Sequence, residues 1–322
     1  MPTLALPSAT IDYHVVGPTN SAHPPIVFVH GVLVDHRLWA AVADRLAGNG
    51  YRCYLPTLPL GSHRIAWTRP DGGDADRSPR GAATLLREFV ATLGLADATL
   101  VCNDTGGAIT QYALDADPEF VARIVFTNCD AFDLFPPQPF KLLFTLLQRK
   151  PVLRAAGQLM RVKPIRHSPL GVGLLANDID ADFSDSVFDP IRESARIRDD
   201  LTTFLRHIDP ADLATVTPRM HRVTRPVTMV WGADDRCFTP SHGRTFAEVF
   251  PDAHFIEVPR ARTFVALDQP GQVADEVVAI SHRSDPADTT PKSLLRSQLS
   301  GESLVEQLMT ERREAAATDD TP

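Results

Sequence analysis

Short apolar runs alternate with segments of helical periodicity along the first part of the chain. The runs are rich in Val, Ile and Phe and lack polar alternation, so they predict strands that are buried on both faces. These strands are predicted at residues 25–31, 51–55, 98–102 and 121–128. The helices between them are predicted at residues 38–47, 82–95 and 108–114. Because strands and helices alternate, the pattern predicts a doubly wound, mostly parallel α/β sheet, with residues 3–16 as antiparallel edge strands.

The alternation stops after residue 134. The next segment contains no convincing strand, and its helical stretches are rich in Leu, Phe and Pro, which predicts a helical cap inserted into the α/β domain. Near the end of the chain Ser, Asp, Thr and Pro dominate, which is typical of a largely disordered tail. The predicted division is 1–134 for the first part of the core, 135–222 for the cap, 223–282 for the second part of the core and 283–322 for the tail.

The composition restricts the partners and the compartment. The 322 residues carry a formal net charge of −8, so we expect neither nucleic acid nor an anionic membrane as a partner. No apolar run reaches the ~18 residues that a membrane-spanning helix needs, and the N-terminus lacks the pattern of a secretory signal. The cysteines are far apart and predict buried thiols, not a disulfide framework or a zinc site. We therefore expect a cytoplasmic protein without a metal or cofactor.

Residues 98–114 carry the most specific chemistry in the sequence. A predicted strand ends at Cys102, a predicted helix follows, and the turn between them reads small–x–Asp–x–Gly, with Asp104 at its centre and Gly106 after it. This is the spacing of a nucleophile elbow, in which small neighbours allow a tight turn and the central side chain points into a cleft. A carboxylate there can attack an alkyl carbon and form an ester. The alternative interpretation is that Asp104 only caps the helix.

Three motifs lie at the ends of predicted strands: His30-Gly31 ends the first, the Asp104 elbow follows the third, and Gly232-Ala233-Asp234-Asp235 follows a later strand predicted at residues 227–231. Each lies at the carboxyl end of a predicted parallel strand, where open α/β sheets bind their ligands. Together the motifs resemble the α/β-hydrolase family over residues 25–280, outside the insertion. The sequence around Asp104 is most similar to the branch with an Asp nucleophile, which contains haloalkane dehalogenases and epoxide hydrolases.

The resemblance implies a role for each matching residue. Asp104 would be the nucleophile, and the backbone N–H groups of Thr105 and of Val32, which follows His30-Gly31, would form the oxyanion hole. Asp235 would be the acid that orients the catalytic base. Two alternative acids remain open, the neighbouring Asp234 and the strand-end residue Asp130.

The position of the family's catalytic histidine holds Thr263. The surrounding frame is intact, with Phe264 after it and Asp268-Gln269-Pro270 further on. A Thr hydroxyl does not take a proton from water near neutral pH, whereas attack by an ionised Asp104 needs no base. The mapping therefore predicts an ester that is hydrolysed slowly, unless another histidine serves. The candidates are His30, His207, His221, His242, His254 and His282.

Two further departures concern the substrate. Dehalogenase relatives commonly have a Trp after the nucleophile to hold the halide, and here that residue is Thr105. Epoxide hydrolases protonate the epoxide with tyrosines of the cap, and residues 135–222 contain no Tyr. The Leu, Phe and Pro content of the cap predicts an apolar pocket. We therefore expect a hydrolase of a small apolar substrate that uses Asp104; the alternatives are a ligand-binding protein, and a lyase or isomerase in which Asp104 is the acid or base.

Overall fold

Eight strands form one sheet in a computed structural model of the chain, which describes residues 1–138, 140–169, 171–177, 179 and 181–283. The strands are β1 (Thr3–Ala5), β2 (Thr10–Val16), β3 (Ile26–Val29), β4 (Cys53–Pro56), β5 (Thr99–Asp104), β6 (Arg123–Cys129), β7 (Val227–Gly232) and β8 (Ala253–Val258). They lie in the order β1-β2-β4-β3-β5-β6-β7-β8. The pairs β1–β2 and β2–β4 are antiparallel and the other neighbouring pairs are parallel, so the predicted mostly parallel sheet is confirmed.

Helices connect the strands and cover both faces of the sheet. In the described residues they are α1 (Ala40–Gly48), α2 (Pro79–Thr92), α3 (Thr105–Ala116), α4 (Phe140–Leu147), α5 (Lys150–Leu159), α6 (Lys163–Arg166), α7 (Ala181–Ser186), α8 (Asp189–Glu193), α9 (Ala195–Arg206), α10 (Pro210–Val216), α11 (Pro240–Ala247), α12 (Val265–Asp268) and α13 (Pro270–Ser281). One core packs α2 and α3 against the sheet, and a second packs α1 and α13 against its other face. This layering is the doubly wound α/β architecture that the alternating pattern predicts, and it is the α/β-hydrolase fold that the resemblance implies.

The central strands are apolar for a physical reason. Every residue of β3, β6 and β7 is buried, as is β5 up to its last residue, because helices lie on both faces of the sheet. The four-residue helix α12 was not predicted, since so short a segment shows no helical periodicity. It begins at Val265, two residues after Thr263, and therefore shapes the region of the predicted base.

The segment predicted as a cap contains the helices α4 to α10, and within its described residues no strand occurs. Helices α4, α5, α8 and α9 pack on one another. Residues Met1–Ser281 form one compact unit, so the cap belongs to the same unit as the sheet. Apart from His282 and Arg283, the second unit, which holds the predicted tail, lies outside the described residues.

Two further observations concern the length of the helices and the state of the thiols. In the part of the chain that the structure describes, no helix is both long and apolar enough to cross a bilayer. Cys53, Cys102, Cys129 and Cys237 are all buried and free, as predicted. Burial raises the pKa of the Cys53 thiol to about 12, so this sulfur is protonated at neutral pH.

Candidate active site

Asp104 lies at a sharp turn between β5 and α3. Its φ of 53° and ψ of −131° are rare for a residue with a side chain, and such a conformation costs about 1–3 kcal/mol. The turn tolerates no bulk beside it, because a Cβ on Gly106 would lie 2.7 Å from the Val29 carbonyl oxygen. A Cβ on Gly107 would lie 2.5 Å from the Cys129 sulfur. The Asp104 side chain makes no N-capping hydrogen bond to α3, so capping alone does not explain it.

Two backbone N–H groups near the Asp104 carboxylate favour its charged form and lower its pKa. They belong to Thr105 and Val32, the two residues predicted as oxyanion donors. Gly31 leaves room for this approach, since a Cβ there would lie 2.1 Å from Asp104 Oδ2. Fixed donors of this kind stabilise negative charge without having to reorganise.

His30 holds the loop that carries one of these donors. Its Nδ1 donates to the Gly31 carbonyl oxygen at 2.8 Å, and its Nε2 accepts from the Leu58 N–H at 2.8 Å. The ring is completely buried, and this burial lowers the pKa of His30 to about 4. Both ring nitrogens are therefore engaged, and His30 positions the loop and takes up no proton from the site at neutral pH.

The electrostatics around Asp104 come mainly from burial. Loss of hydration and, to a smaller extent, the charge of Asp235 raise the pKa of Asp104 to about 6, although the N–H groups of Thr105 and Val32 lower it. Asp130 is also fully buried, and neither of its carboxyl oxygens has a hydrogen-bond partner. Burial and the neighbouring Asp104 raise the pKa of Asp130 well above its usual value, because both disfavour the charged form of this carboxyl.

Asp235 is the buried carboxylate at the predicted acid position. Its Oδ1 accepts from the Cys237 N–H at 2.7 Å, and its Oδ2 accepts from Asn128 Nδ2 at 2.8 Å. The Thr263 hydroxyl donates to the same Oδ2 at 3.0 Å. Burial raises the pKa of Asp235 to about 6. Asp234 is exposed, so the structure brings Asp235 and not its neighbour to Thr263.

The pocket beside Asp104 is almost entirely apolar. A cavity of about 120 Å³ is bounded by the oxyanion loop, Phe264 and the cap helices α4, α5 and α8. Asp104 is the one polar side chain among the described residues that line it, and no histidine, tyrosine, lysine or arginine is among them. Of the candidate bases, His207 and His221 are exposed and bond to carbonyl oxygens of their own helical turns. His242 is partly buried and packs against Phe132 and Trp231.

The cap side of this pocket was not assigned to individual residues by the sequence. Helix α4 contributes its apolar positions at helical spacing, namely Phe140, Leu143, Phe144 and Leu147. Their i, i+3, i+4, i+7 spacing is visible in the sequence and could have identified this face. No group of three or more His, Cys, Asp or Glu side chains suited to a metal occurs among the residues described.

Comparison with known proteins agrees with this fold. A sequence profile described as the Alpha/beta hydrolase family matches residues 26–276. The chain is 22% identical over 273 residues to the AB hydrolase superfamily protein YfhM of Bacillus subtilis, which covers 82% of this chain and 92% of that protein. It is 26% identical over 253 residues to a 2-hydroxy-6-oxononadienedioate/2-hydroxy-6-oxononatrienedioate hydrolase of Paraburkholderia phymatum, which covers 74% and 80%.

Solved structures show the same fold. An α/β-hydrolase fold protein from Burkholderia ambifaria is similar with a TM-score of 0.69 at 20% identity, over 86% of this chain and 97% of that one. The haloalkane dehalogenase DbeA from Bradyrhizobium elkani is similar with a TM-score of 0.66 at 18% identity, over 87% and 97%. At these identities the structural likeness concerns the fold, whereas the profile match spans most of the chain. The chain therefore belongs to the alpha/beta hydrolase family of enzymes.

Proposed function

We propose that Asp104 attacks an electrophilic sp³ carbon of a small apolar substrate and forms a covalent alkyl ester. The observation that carries this proposal is the position of its carboxylate. It is the one ionisable group among the described residues that line an apolar cavity, and the N–H groups of Thr105 and Val32 hold it. Because the lining of the pocket contains no other polar side chain among the described residues, the Asp104 carboxylate is poorly solvated there. Poor solvation makes a carboxylate a stronger nucleophile.

The apolar lining favours one class of leaving group. In the proposed step a bond forms between an Asp104 oxygen and the substrate carbon, and the leaving group departs with the bonding electron pair. An epoxide would leave as an alkoxide and would need a proton, but the described lining contains no Tyr, His or Lys to supply one. A halide needs no proton, so an alkyl halide or a substrate with a similarly weakly basic leaving group fits best.

The second half of the reaction is limited by Thr263. In the relatives that the sequence resembles, a histidine at this position activates the water that hydrolyses the ester. Here the Thr263 hydroxyl donates to Asp235, and no described residue of the cavity lining can accept a proton except Asp104 itself. The proposed enzyme is therefore alkylated readily at Asp104 and hydrolyses the resulting ester slowly.

The curated relative from Paraburkholderia does not supply the substrate. Its name indicates a doubly charged dicarboxylate, whereas the described lining of this pocket carries no lysine or arginine to bind one. The hydrolase names of the relatives support the reaction class only. The lining of the pocket favours an apolar substrate.

A second candidate is acid–base chemistry, in which Asp104 moves a proton in a lyase or isomerase reaction. The observation that favours it is a pair of neighbouring buried carboxyl groups, Asp104 and Asp130, that both have a raised pKa. Burial raises the pKa of Asp104 to about 6, and burial together with the neighbouring Asp104 raises the pKa of Asp130 well above its usual range. Such pairs can divide the roles of acid and base.

Mass spectrometry of the intact protein separates the two candidates. The protein is incubated with alkyl halides, epoxides and activated esters, and its mass and the released products are both followed. The proposal predicts a mass increase equal to the alkyl group, located on the peptide that contains Asp104, and no increase for Asp104→Asn. Turnover that depends on Asp104 without any adduct would favour acid–base chemistry. Neither adduct nor turnover would contradict both candidates and favour a ligand-binding protein.

A further inference from the structure

The charge of this protein is unevenly distributed. Although the net charge is −8, residues 134–177 contain no Asp or Glu and seven basic side chains. These are Lys141, Arg149, Lys150, Arg154, Arg161, Lys163 and Arg166. Lys150 pairs with Asp199 and Arg166 with Asp185. The other five are exposed, and none of them pairs with a carboxylate of the described residues. One part of the cap is thus strongly basic on an otherwise acidic molecule.

The same segment exposes apolar side chains. Apart from Met1, every large apolar side chain that is exposed in the described part of the chain lies between residues 142 and 162. These side chains are Leu142, Leu143, Leu146, Val152, Leu159 and Val162. On α4, Leu142 is 68% and Leu146 is 42% exposed, although the opposite face of the helix already fills the pocket. A helix that is apolar on both faces is unusual at a water-exposed surface.

The exposed basic and apolar side chains of residues 141–163 form a surface that we call the basic–apolar face. This face is continuous with the pocket. Leu143 is 36% exposed and also lines the cavity beside Asp104. Next to it, α5 and α9 form a groove lined by Lys150, Arg154 and Arg198. Arg154 and Arg198 line the same groove, and burial and the charge of Arg154 lower the pKa of Arg198. An anion in this groove would relieve their repulsion.

We propose that the basic–apolar face docks on the surface of an anionic phospholipid membrane. Leu142 and Leu146 of α4 would enter the interface, and the surrounding lysines and arginines would meet the lipid phosphates. Amphipathic elements that combine exposed aliphatic and basic side chains bind such surfaces through both contributions. The pocket opening would then face the bilayer, from which an apolar substrate can enter. This last step rests on the proposed function, whereas the docking does not.

Charge and apolar surface together favour a membrane over a second copy of this chain. A symmetric dimer through this face would place like charges against each other. An asymmetric contact would need an apolar partner surface elsewhere, and among the described residues outside this face the only large exposed apolar side chain is Met1. An anionic bilayer provides both negative charge and an apolar interior.

Vesicle co-sedimentation of the full chain tests the docking. We expect at least about tenfold stronger binding to vesicles of phosphatidylcholine with phosphatidylglycerol than to pure phosphatidylcholine, and weaker binding as NaCl is raised. Leu142→Ser combined with Leu146→Ser should reduce this binding, as should Lys141→Gln combined with Arg161→Gln. Arg45→Glu, on the exposed side of α1, changes the net charge by the same two units as the latter pair and should have little effect. Thermal melts establish that each variant is folded.

Three results would overturn the docking proposal. The first is equal or absent binding to the two kinds of vesicle. The second is a loss of binding in Arg45→Glu as large as that in the Lys141→Gln, Arg161→Gln pair. The third is a protein that does not bind vesicles but forms a dimer in sedimentation velocity, which the Leu142→Ser, Leu146→Ser pair dissociates. Asp104→Asn should bind vesicles as the wild type does. Failure of the chemistry at Asp104 and failure of the docking are therefore separate outcomes.

Discussion

The two ends of the candidate active site differ in how completely they are built. At the elbow, Asp104 has a strained backbone, small neighbours and two N–H donors on its carboxylate. At the other end, Asp235 is buried and well bonded, but its partner Thr263 is a hydroxyl donor and not a base. The comparison teaches that attack and hydrolysis have separate physical requirements. The first needs an ionised nucleophile and fixed donors, and the second needs a proton acceptor beside a water molecule.

The largest effect is expected from removing the nucleophile. Asp104→Asn keeps the size of the side chain but lowers its nucleophilicity, so ester formation should fall by at least about 10³-fold. The rate of adduct formation, followed by intact mass, measures this. Asp234→Asn is the matched control, because Asp234 is exposed. Undiminished adduct formation in Asp104→Asn would remove the elbow from the reaction.

A smaller effect is expected from crowding the elbow. A Cβ on Gly31 would lie 2.1 Å from Asp104 Oδ2, so Gly31→Ala must displace the carboxylate or the oxyanion loop. A misplacement of about 1 Å can reduce a rate by about 10²-fold, and we expect a loss of this order in ester formation. Gly48→Ala, at a glycine whose added Cβ meets nothing within 4 Å, is the control. If Gly31→Ala reacts like the wild type, the carboxylate is not held as described.

The pH dependence tests the ionisation of the nucleophile. Because burial raises the pKa of Asp104 to about 6, its reactive ionised fraction grows as the pH rises. Ester formation should therefore increase by about tenfold per pH unit well below 6 and level off above it. Single-turnover rates between acidic and mildly alkaline pH measure this profile. A rate that falls as the pH rises would indicate that the protonated carboxyl is the reactive form.

The smallest effect on attack is expected at the acid position. Asp235→Asn leaves buried donors such as the Cys237 N–H with a poorer partner, so it should lower stability by about 1–3 kcal/mol. Ester formation should change by less than about threefold, since no histidine depends on Asp235 for its orientation. Denaturant unfolding and adduct kinetics measure the two quantities. Asp234→Asn, at an exposed position, should change stability by less than about 0.5 kcal/mol.

The elbow could be predicted because its requirements are local in the chain. Asp104 and its small neighbours lie within a few residues, and the strand before them has to be apolar on both faces. The same holds for the sheet, whose strands each carry a readable pattern. The short helix α12 and the exact strand limits carry no such pattern; β4, for example, begins at Cys53, two residues after the predicted start.

The rest of the site depends on contacts between distant segments. The bond between Thr263 and Asp235 joins two loops that only the ordering of β7 and β8 brings together. The apolar lining depends on how α4 packs over Asp104. The basic residues of the basic–apolar face can be identified in the sequence. The net charge of −8 does not reveal them, because the acidic residues elsewhere in the chain are more numerous. Charge has to be examined by segment and not as a sum.

The lifetime of the ester tests the central claim most directly. After reaction with an alkyl halide and removal of the excess reagent, the intact mass is followed until the adduct disappears. The wild-type ester should persist, and Thr263→His should shorten its lifetime by about 10²-fold or more, since it introduces a base beside Asp235. Thr263→Val, which also removes the hydroxyl, should leave the lifetime long. A folded Thr263→His protein whose ester lasts as long as that of the wild type, or a wild-type ester that disappears at once, would contradict the account.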